Sequence, residues 1–411
     1  ALRLAAMGIE AWERAATETE IQEMVRLLED ALKAGAMGLS TNLLDHDGED
    51  RPIPSLRADD REFRALFECA SKHSGATVQV VIDSIMRMTA VPAMERIALL
   101  TESLALRVQW AGIPTLQWQK TYGLQQPLVD LHEKFVKEGK DFWTGYAHVP
   151  IVVTASIRQS LLFAQSNEYV WHEVVSAKSD DEKRFLLKDM DWRARARYSW
   201  DNESLETSFF RNPERMMLDN SENGADPIVS LGEYSSDLDL HPSDALAEWF
   251  LNNGLSSTVS MPPWETDDEM VVRLTRDSNA VGNINDSGAH GQMFCGSGDS
   301  VRLLTDFVRT GKLTIEEAIH SQTGKLARHF GFADRGVIKL GMRADVAVFA
   351  LSEVEHRSKH KIFDVPDGFG GFTWRWTRDP APMRLTLCNG VPTFDLSGAT
   401  GEKPGVMVCP S

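Results

Sequence analysis

The chain has 411 residues, of which 42% are apolar and 25% are charged, so its composition is that of an ordinary globular protein. This length predicts two or three domains, or one large α/β barrel with additions. Lys and Arg number 43 against 60 Asp and Glu, which gives a formal charge of −17. Such a surface argues against nucleic acid and anionic membranes as partners, and the composition excludes collagen, coiled coils and disordered chains.

Cysteine usage and hydropathy indicate a reducing environment and no membrane span. The four cysteines, at positions 69, 295, 388 and 409, are too few and too scattered for a disulfide framework or a zinc knuckle. The longest apolar stretch, residues 142–155, is shorter than the roughly 20 residues that cross a bilayer. We therefore expect a cytoplasmic protein.

The first part of the chain alternates predicted helices and strands. Thr17 and Glu20 form a capping-box pattern ahead of apolar residues at helical spacing, which predicts a helix over 17–34. Further helices are predicted at 59–75, 92–106 and 126–137, and strands at 36–41, 77–83, 113–119 and 142–153. Strands that alternate with helices indicate a parallel sheet with crossover connections.

The alternation stops at about 157 and returns at about 255, and we interpret this stretch as a large insertion. Aromatic residues are scattered through it, which favours a folded unit over a linker: Trp171, Trp192, Trp200, Phe209 and Phe210. After it come predicted strands at 256–261 and 280–285, a helix at 266–276, short helices at 303–309, 315–320 and 323–330, and antiparallel strands at 346–350, 384–388 and 391–394. We therefore divide the chain into a barrel portion, 1–336, and a C-terminal β-sandwich portion, 337–411.

About six parallel strands can be counted, whereas a closed barrel needs eight. The chain starts at Ala1 rather than Met. We therefore expect an N-terminal segment of the same polypeptide, roughly 100–170 residues long, to supply the first barrel strands and part of the sandwich.

The strongest chemical pattern is residues 285–290, where an Asp and a His follow a predicted parallel strand. Barrel enzymes carry their chemistry at the carboxyl ends of the strands, so Asp286 and His290 are candidate acid–base and binding groups. The same Asp-Ser-Gly composition is also typical of an ordinary turn. Ser40 and Thr41 end another predicted strand at this rim and are candidate substrate-binding residues.

Three other patterns favour structural roles. His356 and His360 would share one face of a helix, but charged neighbours indicate a solvated face. Cys295 is compatible with a small buried apolar residue. The aromatic run 374–376 is more typical of packing than of recognition.

Residues 285–290 (NDSGAH) resemble the SDGGAH-type segment of the D-aminoacylase (N-acyl-D-amino-acid deacylase) branch of the amidohydrolase superfamily. The stretches 323–328 (TGKLAR), 334–338 (DRGVI) and 343–349 (RADVAVF) are similar to another passage of that family, and Asn389-Gly390 to its closing VNG. Near the start, 35–41 (GAMGLST) resembles the family's GALGLST strand. The likeness is greatest with a long, histidine-poor subgroup.

The resemblance implies a (β/α)8 TIM barrel with a small β-sandwich and a zinc ion or another divalent metal. It implies that Asp286 contacts the metal, takes the proton of the attacking water and passes it to the departing amine. The positions where the family carries further metal-binding histidines read Val81-Ile82-Asp83 and Gln117-Trp118-Gln119. His148 is the candidate substitute, although a lone His among apolar neighbours is often a core residue; the remaining ligands are expected in the N-terminal segment.

The implied function is hydrolysis of a linear amide, with an N-acyl-D-amino acid as the default substrate and His290 stabilising the oxyanion or binding the acyl group. Two alternatives stay open. One is a metal-poor protein that binds a small molecule or another subunit without hydrolysis, and the other is a lyase or decarboxylase that uses the same Asp. A small-molecule substrate and a homo-oligomer are expected.

Overall fold

The computed structural model describes residues 1–45, 47, 51–84, 89–150, 152, 154–157, 170–202, 213–220, 229–260, 265–282, 291–366, 368 and 370–409. The helices in these ranges are α1 (Leu2–Met7), α2 (Glu18–Lys33), α3 (Asp60–Ser71), α4 (Ala90–Leu100), α5 (Gln117–Thr121), α6 (Gln126–Lys137), α7 (Trp171–Ser176), α8 (Asp180–Lys188), α9 (Met190–Asp201), α10 (Leu231–Asp237), α11 (Pro242–Asn253), α12 (Asp268–Arg276), α13 (Ile315–Gln322) and α14 (Gly324–Phe330). Short 3₁₀ segments occur at Gly8–Trp12, Pro54–Arg57, Pro213–Arg215 and Asp299–Val301, and a π-helical segment at Leu303–Val308.

The strands are β1 (Gly38–Asn42), β2 (Thr77–Val81), β3 (Arg107–Trp110), β4 (Phe142–Gly145), β5 (Thr154–Ala155), β6 (Met217–Asn220), β7 (Val229–Ser230), β8 (Thr258–Ser260), β9 (Ala280–Val281), β10 (Val346–Val348), β11 (His360–Pro366), β12 (Phe372–Thr377), β13 (Leu385–Cys388), β14 (Val391–Asp395) and β15 (Gly398–Ala399). Among the described helices, none is both long enough and apolar enough to cross a bilayer.

A five-stranded parallel sheet organises the first part of the chain, in the order β1-β2-β3-β4-β9. One face packs against the helices that connect the strands, where Val80 and Trp110 meet residues such as Phe67 of α3 and Phe135 of α6 in one buried cluster. Strands that face helices can be continuously apolar, because both neighbours exclude water. The predicted α/β class, with a parallel barrel-type sheet followed by a small antiparallel β region, is confirmed.

The local signals that predicted α2 are present as side-chain contacts. The Thr17 hydroxyl accepts a hydrogen bond from the Glu20 amide at 3.4 Å, and the Glu20 carboxylate accepts one from the Thr17 amide at 2.7 Å. These bonds satisfy two amide groups that lack partners within the helix. The buried face of α2 carries the residues that the helical spacing indicated: Ile21, Met24, Leu28 and Leu32.

The predicted strand at 113–119 is wrong. The third strand is β3, which ends at Trp110, and residues 117–121 form the short helix α5. The predicted helix 92–106 also runs too far, because α4 ends at Leu100. The apolar run continues past the end of α4 and through the four-residue strand β3 without a change of pattern. Neither the end of the helix nor the start of the strand can therefore be recognised in the sequence. At Gly112 a Cβ would collide with the backbone of Gly145, so the chain passes close to β4 before it turns away.

The insertion contains its own sheet and its own buried cluster. Its antiparallel sheet has the order β5-β8-β6-β7, so the predicted strand at 256–261 belongs to this sheet and not to the parallel one. Trp171 and Trp192 meet edge to face with ring centroids 5.2 Å apart, and Trp200 is buried in the same cluster. Phe209 and Phe210 lie outside the described residues.

The C-terminal region contains the antiparallel sheet β10-β13-β14-β15 and the separate hairpin β11–β12. From residue 337 onward, Val354 is the one fully buried residue among those described. Ile338 and Leu340 are 92% and 100% exposed. A sheet buries its apolar face against a second layer, and in β13 the described residues bury each position only in part.

Candidate functional site

The carboxyl ends of the five parallel strands lie along one edge, and the chain leaves this edge after Asn42, Val81, Trp110, Gly145 and Val281. Asp286 and His290 follow Val281 but lie outside the described residues. The structure therefore shows the strand that precedes them and the segment that follows them, beginning at Gly291.

Ser40 and Thr41 lie on opposite faces of β1, because side chains alternate along a strand. Thr41 is in register with Val80, which belongs to the helix-facing buried cluster. Ser40 is exposed on the other face, in register with Gln79, and its hydroxyl donates a hydrogen bond to the Gln79 side-chain oxygen at 2.5 Å. In a closed barrel this second face is the interior, so Ser40 is the better placed of the two residues.

His148 lies just beyond the end of β4, and its ring is 1% exposed. Its Nε2 is 3.2 Å from the backbone carbonyl oxygen of Asp299. A carbonyl oxygen can only accept, so Nε2 carries the proton and donates. Nδ1 is buried, and it has no hydrogen-bond partner among the described residues. Burial lowers the pKa of His148 to about 4, so at neutral pH the ring is uncharged and Nδ1 presents a lone pair.

Asp299 is buried and ties two distant residues to the turn next to His148. Its Oδ1 accepts hydrogen bonds from His356 Nε2 at 3.1 Å and from Arg378 Nη1 at 3.0 Å. Arg378 Nη1 is also 2.9 Å from the Cys295 carbonyl oxygen and 2.8 Å from that of Ser297. The prediction that His356 lies on a solvated helical face is wrong, because the residue is outside any helix and its partner is 57 positions away.

The hairpin β11–β12 holds the segment that follows His290. The Trp376 amide donates to the Gly291 carbonyl oxygen at 2.8 Å, and Gln292 Nε2 donates to the Trp374 carbonyl oxygen at 2.9 Å. The Thr154 amide, at the start of β5, donates to the Met293 carbonyl oxygen at 3.0 Å. The chain on the far side of Asp286 is therefore fixed by the C-terminal region and the insertion together.

The aromatic run in β12 does pack, and lysines cover its rings. Lys359 Nζ lies 4.2 Å from the ring centre of Trp376, and Lys361 Nζ lies 4.2 Å from that of Trp374. These cation–π contacts favour the packing interpretation of the run.

The positions where the resemblance predicted metal-binding side chains lie in two different settings. Asp83 is buried after β2, whereas Gln119 is on α5, and its buried amide oxygen and nitrogen have no hydrogen-bond partner in the described part of the chain. Within the described part of the chain, no three His, Cys, Asp or Glu side chains come close enough together to hold a metal ion. Burial raises the pKa of the Cys295 thiol, so it is not a ready thiolate ligand. The described residues do not by themselves form a metal site.

The fold is shared with D-aminoacylase. One D-aminoacylase structure, described as defining a novel subset of amidohydrolases, matches with a TM-score of 0.58 at 19% identity, over 98% of this chain and 68% of that one. The N-acyl-D-glutamate deacylase of Bordetella bronchiseptica, complexed with zinc and a phosphonate inhibitor that mimics the tetrahedral intermediate, matches with a TM-score of 0.55 at 17% identity, over 97% and 68% of the two chains.

At the level of sequence, no protein-family profile matches the chain. Uncharacterized proteins of Mycobacterium bovis and Mycobacterium tuberculosis are 23% identical over 410 residues. The match covers 92% of this chain and 63% of theirs, so the chain spans less than two thirds of the length of these relatives.

Proposed function

We propose that this protein is a hydrolase that cleaves a linear, non-peptide amide bond of a small molecule, with N-acyl-D-amino acids as the first substrates to test. The observation that carries the proposal is the fold shared with D-aminoacylase over 98% of the chain. The sequence of 285–290 supports it, because this segment comes soon after β9, a strand of the parallel sheet, and barrel enzymes act at the carboxyl ends of such strands.

In this proposal Asp286 is the general base and acid. Its carboxylate takes a proton from the attacking water and then gives it to the departing amine, which avoids an unstable anionic leaving group. His290 stabilises the oxyanion or binds the acyl group. Ser40 contributes a hydrogen bond to the substrate, and we prefer it to Thr41 because Thr41 is on the helix-facing side of β1.

A zinc ion or another divalent cation is part of the proposal, with Asp286 and His148 among its ligands. His148 has one feature of a metal-binding histidine, since one ring nitrogen donates to a backbone carbonyl and the other has no partner. When bound, such a cation would lower the pKa of a coordinated water. The described residues alone do not complete a site for it.

We also propose that further chain completes the barrel, supplying the remaining ligands. The parallel sheet has two outer strands, β1 and β9, whose outer edges pair with no other strand among the described residues. Ile338 and Leu340 are exposed, and β13 of the antiparallel sheet is only half-buried among the described residues. An N-terminal segment of roughly 100–170 residues could satisfy both needs. We also propose a domain division at 336/337, a homo-oligomer and a cytoplasmic location.

The decisive experiment measures amine release from matched N-acyl-D- and N-acyl-L-amino acids, before and after treatment with a chelator and re-addition of Zn²⁺. Asp286→Asn should lower kcat by about 10³-fold, because it removes the proton acceptor. Asp364→Asn, which neutralises an exposed carboxylate paired with Arg375, is the matched control and should leave kcat unchanged. Full activity in Asp286→Asn would contradict the proposed mechanism.

A second candidate is a metal-poor binding protein or subunit. It is favoured by the absence of histidine from residues 81–83 at the end of β2 and from residues 111–113 after β3, and by the lack of a three-donor cluster among described side chains. Saturable binding of N-acyl-amino acids without amine release, at every Zn²⁺ concentration, would support this candidate against the hydrolase. Release of a product other than the free amine would instead indicate a lyase or decarboxylase.

A further inference from the structure

His148 is connected to the C-terminal region through Asp299. The backbone carbonyl of Asp299 accepts the hydrogen bond from His148 Nε2, and its side chain accepts bonds from His356 and Arg378. All three contacts are non-local, since the partners lie 151, 57 and 79 positions away. Two separate parts of the fold therefore meet at one turn beside the strand ends.

The backbone of this turn is fixed by more than one bond. The Asp299 amide donates to the Gly296 carbonyl oxygen at 3.2 Å, and Asp299 begins the short helix that runs to Val301. Arg378 Nη1 reaches the carbonyl oxygens of Cys295 and Ser297 in addition to the Asp299 carboxylate. The Asp299 carbonyl oxygen also accepts a bond from the Arg302 amide, so the short helix and the guanidinium group together fix the direction in which this carbonyl points.

The direction of that carbonyl decides which nitrogen of His148 is protonated. A neutral imidazole has one N–H, and a fixed acceptor beside one nitrogen leaves the lone pair on the other. We propose that Asp299, held by Arg378 and His356, is a positioning residue that keeps the proton of His148 on Nε2 and so leaves the lone pair on the buried Nδ1. The proposal rests on the proposed function in so far as Nδ1 takes part in the reaction.

The charges around Asp299 indicate that its contact with Arg378 is not readily broken. Asp299 and Arg378 have side chains that are 9% and 13% exposed, and a charge pair so shielded from solvent is screened little by salt. Burial lowers the pKa of His356, so at neutral pH Arg378 supplies the positive charge and His356 a neutral N–H donor. Loss of Arg378 would leave a buried carboxylate without its cation, and the turn would have to move to hydrate it.

The test is the protonation site of His148, read from long-range ¹H–¹⁵N correlations of the full chain labelled with ¹⁵N-histidine, with His148→Gln to assign the signal. In the unaltered protein we expect a single form with the proton on Nε2. Arg378→Gln should give a mixture of the two ring forms and lower kcat by about 10–100-fold with little change in KM. Arg378→Lys keeps a positive charge and should restore most of both properties.

Two controls separate a local effect from general loosening. Arg375→Gln removes a charge three positions earlier, on β12, whose partner is the exposed Asp364, and should leave His148 unchanged. His329 is buried far along the chain with neither ring nitrogen hydrogen-bonded, so its signal in the same spectra should not respond to Arg378→Gln. If Arg378→Gln does not fold, the milder substitution His356→Gln should still give a mixture of the two ring forms of His148, with a smaller fraction of the second form.

The outcomes are distinguishable from those of the proposed function. Retention of a single Nε2–H form of His148 in folded Arg378→Gln and His356→Gln would overturn the inference, even if the enzyme is an active hydrolase. A mixed form in a protein that shows no hydrolysis would support the positioning role and count against the hydrolase.

Discussion

The parallel sheet and the C-terminal antiparallel sheet are built from similar β-forming residues but are buried very differently. In β2, Val78 and Val80 are fully buried beneath α3 and α4. In β13 every residue is half-buried, and beyond 337 Val354 alone is fully buried among the described residues. Burial of apolar area is the main favourable term in folding, so stability should be concentrated in the parallel region. The C-terminal sheet, whose described residues are mostly half-buried or exposed, should contribute less.

The largest effect should come from a cavity under the parallel sheet. Phe67 is fully buried on α3 and stacks on Phe63 with ring centroids 5.8 Å apart. Phe67→Ala should lower the free energy of unfolding by about 3–5 kcal/mol, measured by denaturant titration. The substitution for comparison in the C-terminal antiparallel sheet is Leu387→Ala. It removes a half-buried side chain and should lower the free energy of unfolding by about 1 kcal/mol. Equal losses would show that the two sheets are equally well packed.

A buried lysine gives the next effect. Lys325 Nζ donates to the carbonyl oxygens of Thr275 at 2.9 Å and Asp277 at 3.0 Å, at the end of α12. Lys325→Met keeps the apolar stem but leaves these acceptors unsatisfied, so unfolding should become easier by about 2–3 kcal/mol. Lys339→Met, at an exposed position of the C-terminal region, should be neutral in the same denaturant titration. A neutral Lys325→Met would mean that water replaces the ammonium group.

Acidification should also weaken the parallel region. Burial lowers the pKa of His329 to about 4, and its ring lies 4.7 Å from that of Trp143 in β4. The unfolded chain binds this proton at about pH 6.5, so stability is full above that pH and falls by about 2 kcal/mol as the pH drops to about 4. His329→Phe keeps a packed ring and removes the linkage, so its unfolding free energy should fall less over this range. Parallel curves for the two proteins would contradict this.

The smallest effect should come from the exposed side of the C-terminal region. Leu340→Ser should change the unfolding free energy of the 411-residue chain by less than about 0.5 kcal/mol, because the side chain is fully exposed. In a polypeptide that carries the proposed N-terminal segment, the same substitution should cost more, since a second layer would cover this position. An identical small effect in both proteins would count against that covering layer.

Local signals in the sequence were sufficient for much of the fold. The capping residues Thr17 and Glu20 act within four positions of each other, and the helix they predict was confirmed. The strand at 107–110 was missed because Leu104 and Leu106 continue the apolar pattern of α4 without a break. A strand of four residues offers too few positions for its alternation to be recognised against that background.

The site was less predictable, because its contacts join distant positions. Spacing around His356 indicates charged neighbours and solvent, whereas its partner Asp299 is 57 residues away. The residues next to Asp299 and Arg378 in the sequence form no pattern that indicates their roles. Ser40 and Thr41 could have been separated in advance, since adjacent residues of a strand cannot both face the same side. The roles of Asp286 and His290 stay predictions.

The hairpin β11–β12 is hydrogen-bonded to residues 291 and 292, and this has a consequence for how the protein can evolve. Replacements that move the backbone at Trp374 or Trp376 alter no strand of the parallel sheet, yet they shift the anchoring of the chain that follows β9. Under the proposed function, new substrate preferences can therefore arise from a part of the gene that encodes neither the parallel strands nor Asp286. Mutant libraries built to redirect selectivity should begin with this hairpin.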